Sequence, residues 1–75
     1  METLAIKTAA DLGKAVRRAR TSEHLTQRQL ALSVGTGERF IVDLEAGKET
    51  ARLGPALRVA TALGLKLTAA YGADG

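Results

Sequence analysis

The segment Thr26-Gln27-Arg28-Gln29, followed by Leu30, Ala31 and Val34 and closed by Gly35, leaves this chain few conformational choices. A threonine hydroxyl accepting from the backbone three residues on, with a glutamine there to reach back, is a capping box, and it marks where a helix starts. The apolar residues after it recur on one helix face. A glycine at the far end supplies the left-handed backbone by which a chain leaves a helix sharply. The outcome is a helix over 27–34 with both ends specified. Thr36 and Gly37 then form a short link, and Glu38 to Glu45 reads as a second helix with Phe40, Ile41 and Leu44 inward and Gly47 as its stop.

Two further helices flank this pair. Thr8 and Asp11 form a T-x-x-D start signal, and Ala9, Leu12, Val16 and Ala19 repeat at helical spacing behind it, with Arg17, Arg18 and Arg20 beside the stripe. This predicts a helix over 9–21, ended by Ser22-Glu23-His24. Lys48 to Arg52 reads as a loop. Gly54-Pro55 opens a helix over 55–63, since proline suits the first turn, with Leu57, Ala60 and Leu63 as its apolar face and Gly64 as its stop. From there the period becomes two: Leu65, Leu67, Ala69 and Tyr71 alternate with Lys66, Thr68 and Ala70, the pattern of a short strand. A lone strand leaves its backbone groups unpaired, so it needs either Thr3 to Ile6 or a second copy of the chain. The expected fold is all-α, four helices in one domain over 1–75, with a short C-terminal strand paired across a dimer.

Composition narrows the function. The chain has 75 residues, of which 45% are hydrophobic and 25% charged, a globular balance. A domain this small buries only about 60–65% of its unfolded surface and gains from association. There are no cysteines, which excludes a disulfide scaffold and thiolate metal sites and agrees with a cytoplasmic setting. Apolar runs fall far short of the roughly 18 residues a bilayer demands, and Met1-Glu2-Thr3-Leu4 lacks a basic signal-peptide start, so no membrane association is expected. The aromatics, Phe40 and Tyr71, make no base-stacking platform. His24 is alone, in a polar turn, and reads as a surface residue. Ser22 and Ser33 have no base near them in sequence. An enzyme, a metal and a cofactor are therefore not expected. The net charge of +3 permits nucleic-acid binding, and Lys7, Lys14, Arg17, Arg18, Arg20 and Arg28 gather early, against only Glu2, Asp11 and Glu23 there.

Two short helices across a tight glycine turn form a helix-turn-helix. In that arrangement the first helix meets the DNA backbone with its N-terminal amides. The second enters the major groove, which is wide enough for one helix, and offers its first residues to base edges. Here Thr26 and Gln27 begin the first, and Glu38, Arg39, Val42 and Asp43 form the outward face of the second.

The run Leu25 to Lys48, LTQRQLALSVGTGERFIVDLEAGK, resembles the lambda-repressor-like (Cro/XRE) family through its L-T-Q, its L-A pair, the turn glycine and the closing I-x-x-L-E-x-G-K. Within that family, RFIVDLEAGKETARL and the later Ala62-Leu63-Gly64-Leu65 are similar to HipB-type antitoxins, partners of HipA kinase-like toxins. The resemblance extends from about Thr8 to Tyr71. It implies that Gln27 holds a phosphate with Thr26 as its cap, that Arg39 reads guanine, and that Lys48 touches backbone phosphate. Glu38 and Asp43 occupy other base-facing positions. Arg20 stands where the family pairs an arginine with the glutamate of L-E-x-G, here Glu45, as a structural ion pair. Gly37 replaces the usual Ser or Thr cap of the recognition helix, a change of a few tenths of a kcal/mol, and Thr36 fills a slot that is commonly Val.

The expected function is a sequence-specific repressor whose DNA-facing set is Thr26, Gln27, Arg28, Gly37, Glu38, Arg39, Val42, Asp43 and Lys48, with Leu65, Leu67, Ala69 and Tyr71 as the dimer strand. A homodimer would place two recognition helices about 34 Å apart on a pseudo-palindromic operator. The resemblance adds an antitoxin that binds a HipA-like kinase and represses the shared promoter in a bacterial cytoplasm, associated with the nucleoid. Two alternatives stand beside it: a phage- or plasmid-type XRE regulator without a toxin, and a protein-interaction module that does not bind DNA, motivated by the acids Glu38 and Asp43. A salt titration separates the last from the others, because phosphate neutralisation makes affinity fall steeply with salt.

Overall fold

The computed structural model describes residues 2–72. Four helices follow one another: α1 (Ala9–Ser22), α2 (Gln27–Val34), α3 (Glu38–Glu45) and α4 (Leu53–Ala62). Local chemistry sets the first two starts. Thr8 Oγ1 accepts from the Asp11 amide at 3.1 Å, and the Asp11 carboxylate accepts from the amides of Thr8 at 3.1 Å and Lys7 at 2.9 Å. Thr26 and Gln29 make the same reciprocal pair, at 3.0 and 2.8 Å. The helix α4 begins two residues before the expected position. Pro55 is thus its third residue, a place where its missing N–H still has no partner to lose.

Val16, Leu30, Ile41 and Val59, one from each helix, are the largest fully buried side chains. Each contributes about 1.5–3 kcal/mol relative to exposure. Ala31, Leu44, Ala56 and Leu63 complete the cluster, and Leu12, Ala19, Leu25, Val34 and Phe40 pack at its edge. On α4 the inward face is Ala56, Val59, Ala60 and Leu63, and Leu57 is 41% exposed. Of the expected stripe, Ala60 and Leu63 are buried, and Ala56 takes the inward place expected for Leu57. Ala56 shares one face with Val59, Ala60 and Leu63 at three- and four-residue steps, and Leu57 stands about 100° round the helix from it.

Two glycines set how α1 sits on α3. A Cβ on Gly13 would collide with the carbonyl oxygen of Leu44 and lie 2.9 Å from that of Glu45, so α1 approaches the end of α3 as closely as only glycine permits. Just beyond α3, Gly47 has φ +84°, and a Cβ there would stand 2.9 Å from Ala10 Cα. Both the angle and the space demand glycine.

The expected strand is not formed. Among the described residues there is no strand, and Leu65, Leu67, Ala69 and Tyr71 belong to an irregular segment. Alternation favours a strand only where an edge is available to pair with, and Thr3 to Ile6 builds no ladder within the chain. Leu65 is drawn instead into the end of α4. Its amide donates to Ala60 O at 2.9 Å and its side chain packs against the core. Leu67 and Tyr71 are exposed. Among the described residues, no helix is long and apolar enough to cross a membrane.

Candidate nucleic-acid interface

The capping box spends two of the spare amides at the start of α2, those of Thr26 and Gln29. The amides of Gln27 and Arg28 remain as donors at the positive end of the helix dipole, the arrangement that receives an anion. Thr26 and Arg28 are exposed beside them. At the other end, Gly35 takes φ 82° while its amide and that of Thr36 both donate to Ala31 O, at 2.9 and 3.0 Å. This turn aims the chain into α3. Gly37 caps α3 without any side-chain hydrogen bond, and it is exposed. The first amides of α3 are therefore left without a side-chain partner at the helix start.

A polar clamp locks α3 to its neighbours. Arg20 Nε donates to Glu45 Oε2 at 2.6 Å, Arg20 Nη2 to Glu45 Oε1 at 3.0 Å, and Arg20 Nη1 to the Leu25 carbonyl at 2.7 Å. The two side chains are only 11% and 4% exposed. The hydrogen bond to Glu45 raises the Arg20 pKa above its already high value, so the guanidinium is charged at every accessible pH. Gln27 joins this group: its Nε2 donates to Glu45 Oε1 at 3.2 Å. The Gln27 side chain is thus directed toward Glu45. Its backbone amide and the second hydrogen of its side-chain amide remain as donors.

The outward face of α3 is sharply divided from its inward one. Ile41 is 0% and Leu44 3% exposed, whereas Glu38 and Arg39 are exposed and Val42 and Asp43 half-buried. The Arg39 side chain is 84% exposed. Its Nε lies 3.3 Å from Asp43 Oδ1, and Lys48 Nζ lies 3.5 Å from Asp43 Oδ2. The named residues thus fall into three groups: Thr26 and Arg28 at the start of α2; Arg20, Gln27 and Glu45 in the clamp; and Arg39, Asp43 and Lys48 on the outer face, with Glu38, Gly37 and Val42 alongside.

Sequence reasoning missed three features. Gly13, inside a 14-residue helix, carried a signal, because an isolated helical glycine often marks close approach. The left-handed His24, φ 59°, closes the turn after α1 and carried none. The engagement of Gln27 with Glu45 is a tertiary contact with no local signature.

A family model described as helix-turn-helix matches residues 16–69. A protein of Sinorhizobium fredii (strain NBRC 101917 / NGR234) named "Uncharacterized HTH-type transcriptional regulator y4mF" is 52% identical over 62 residues, covering 83% of this chain and 82% of that one. Among solved structures, a HipB–O4 20mer complex superposes with a TM-score of 0.82 at 22% identity, covering 92% of this chain and 97% of that one. A HipA–HipB–O2–O3 complex gives the same TM-score, identity and coverage. At such identity the superposition shows a shared fold.

Proposed function

Because the chain belongs to the helix-turn-helix family, we propose that it is a DNA-binding transcriptional repressor that acts without catalysis. It works as a homodimer on a pseudo-palindromic operator. The single observation that carries this reading is the division of α3, with Ile41 and Leu44 sealed inside while Arg39 stands 84% exposed on a face that no other part of the described chain covers. A side chain so placed can reach a base edge in the major groove, where arginine pairs with guanine through two hydrogen bonds. Lys48 contacts phosphate beside it. The amides of Gln27 and Arg28, capped by Thr26, receive another phosphate. Gly37, Glu38, Val42 and Asp43 line the remainder of the surface against the groove.

The finer reading is an antitoxin that binds a HipA-like kinase and represses the promoter they share, in a bacterial cytoplasm. Two things support it: the sequence similarity to HipB-type antitoxins and the shared fold with HipB, one of whose structures contains HipA.

Selection from a randomised duplex pool, followed by footprinting of the chain's own upstream region, tests the DNA reading. An enriched inverted repeat and its protection are expected, with log affinity falling linearly in log salt by about 0.9 per phosphate neutralised. Salt-independent binding, or no enriched sequence, favours instead an interaction module. Co-purification with the product of a neighbouring kinase-like gene tests the antitoxin role, and its failure removes that refinement alone.

A further inference from the structure

We propose that Asp43 is a positioning residue for sequence reading, holding Arg39 and Lys48 in register, rather than a residue that contacts a base; this rests on the DNA reading above. Its two carboxylate oxygens face two different cations. Oδ1 lies 3.3 Å from Arg39 Nε and Oδ2 3.5 Å from Lys48 Nζ. The carboxylate is recessed, at 22% exposure, behind partners exposed at 84% and 54%. An acid that reads cytosine has to extend an oxygen toward the base's amino group. Asp43 has both oxygens turned to its own protein, below the level of the side chains around it.

The consequence for Arg39 is specific. A guanidinium presents five N–H donors in a rigid planar fork. With Nε lying beside the Asp43 carboxylate, the two terminal amino groups at the tip point away from it, and these are the pair that fit the O6 and N7 acceptors of guanine end-on. Asp43 also restricts the rotamers of a side chain that would otherwise be free on the surface, and so reduces the ordering entropy of binding. The third member, Lys48, is held twice, since its amide also donates to the Asp43 carbonyl at 3.0 Å. One residue at the end of α3 therefore ties a base-reading cation and a phosphate-binding cation to a fixed separation.

The test uses three kinds of duplex: one selected by the wild-type chain from a randomised pool, copies of it with each base pair of a half-site replaced in turn, and a random duplex of equal length. Asp43→Asn is expected to lower discrimination at the pair read by Arg39 by on the order of tenfold. Affinity for the random duplex is expected to hold or rise, because a negative charge near phosphates is gone. The variant is expected to melt within about 5 °C of wild type, since pairs to cations as exposed as Arg39 and Lys48 contribute little to stability. In an Arg39→Ala background, Asp43→Asn is expected to change discrimination less than about twofold, there being no guanidinium left to aim. If the two substitutions relax different base pairs and their effects multiply, Asp43 reads a base itself and the assignment is overturned. Unchanged discrimination in Asp43→Asn overturns it as well. A wild-type chain that enriches no sequence overturns the DNA reading itself, and with it this inference.

Discussion

Gly13→Ala sets two forces of known size against each other. On helix propensity alone the change is favourable, since alanine in a helix interior is better than glycine by about 1 kcal/mol. The packing opposes it. An ideal Cβ at residue 13 would collide with the carbonyl oxygen of Leu44, and would lie 2.9 Å from the oxygen and 3.1 Å from the carbon of the Glu45 carbonyl. A carbon beside a carbonyl oxygen settles at roughly 3.3–3.6 Å. The obstacles are backbone atoms at the end of α3, so no rotamer change relieves them, and α1 has to back away by on the order of 1 Å. Overpacking of a well-fitted contact costs about 1–3 kcal/mol, and a backbone obstacle belongs at the upper end.

The net expectation is a loss of about 1–2 kcal/mol. At this chain length that lowers the melting temperature by about 5–15 °C. Urea titration and thermal melts followed by far-ultraviolet circular dichroism measure it. Gly54→Ala is the comparison: it makes the same chemical change in α4, where a Cβ would meet nothing within 4 Å apart from its chain neighbours. The helical gain there is set against the Pro55 ring, which disfavours helical backbone at the residue before it, so stability is expected to change by less than about 1 kcal/mol either way. A Gly13→Ala protein that melts at or above the wild-type temperature refutes the reasoning, because propensity would then outweigh the contact said to set α1 against α3.

Glu45→Ala leaves the Arg20 guanidinium nearly buried without its counter-charge and is expected to cost about 3 kcal/mol in urea unfolding; a loss below about 1 kcal/mol would show that the clamp is ornamental. His24→Gly relieves a left-handed backbone at φ 59° and, after the added freedom of the unfolded glycine, is expected to gain about 0.5–1 kcal/mol; an unchanged midpoint argues against strain at that turn. The Asp11 carboxylate is held below its ordinary value of 3.8 chiefly by the Lys7 amide, with the Thr8 amide and hydroxyl adding to this. A depressed carboxylate stabilises the fold fully above its unfolded value and loses that contribution as pH falls through the folded one. Wild type is therefore expected to lose more stability than Asp11→Asn as pH is lowered from about 5 through the acid range, and parallel profiles would contradict the assignment.

What could be read from the sequence is what short-range chemistry decides. Both capping boxes announce themselves within four residues, and the hydrogen bonds at Thr8 and Thr26 are local ones. The inward phase of α3 follows from Ile41 and Leu44. Where small residues blur the stripe, the phase is not decided locally, and Leu57 is exposed while Ala56 is buried. The alternation after Gly64 is a different case. It is a preference that needs a partner edge, and the helix end captures Leu65 with a single hydrogen bond to Ala60.

The positions of the candidate site were readable for the same reason, whereas the partnerships within it depend on distance across the fold. Glu45 makes this concrete. A carboxylate in the last turn of a helix sits at the negative end of the dipole, which disfavours it, so its place at the end of α3 is sustained by what faces it there. Arg20 from α1 and Gln27 from α2 both donate to it, and the Gly13 approach holds α1 near enough for Arg20 to reach. One acidic side chain thereby fixes α3 to both preceding helices, from the end of the helix opposite Arg39. Hydrogen-bond readout tolerates displacements of only a few tenths of an ångström. On the proposed DNA reading, the orientation of Arg39 depends on the buried clamp as much as on Arg39, and substitutions at Arg20 or Glu45 are expected to weaken discrimination between sequences as well as stability.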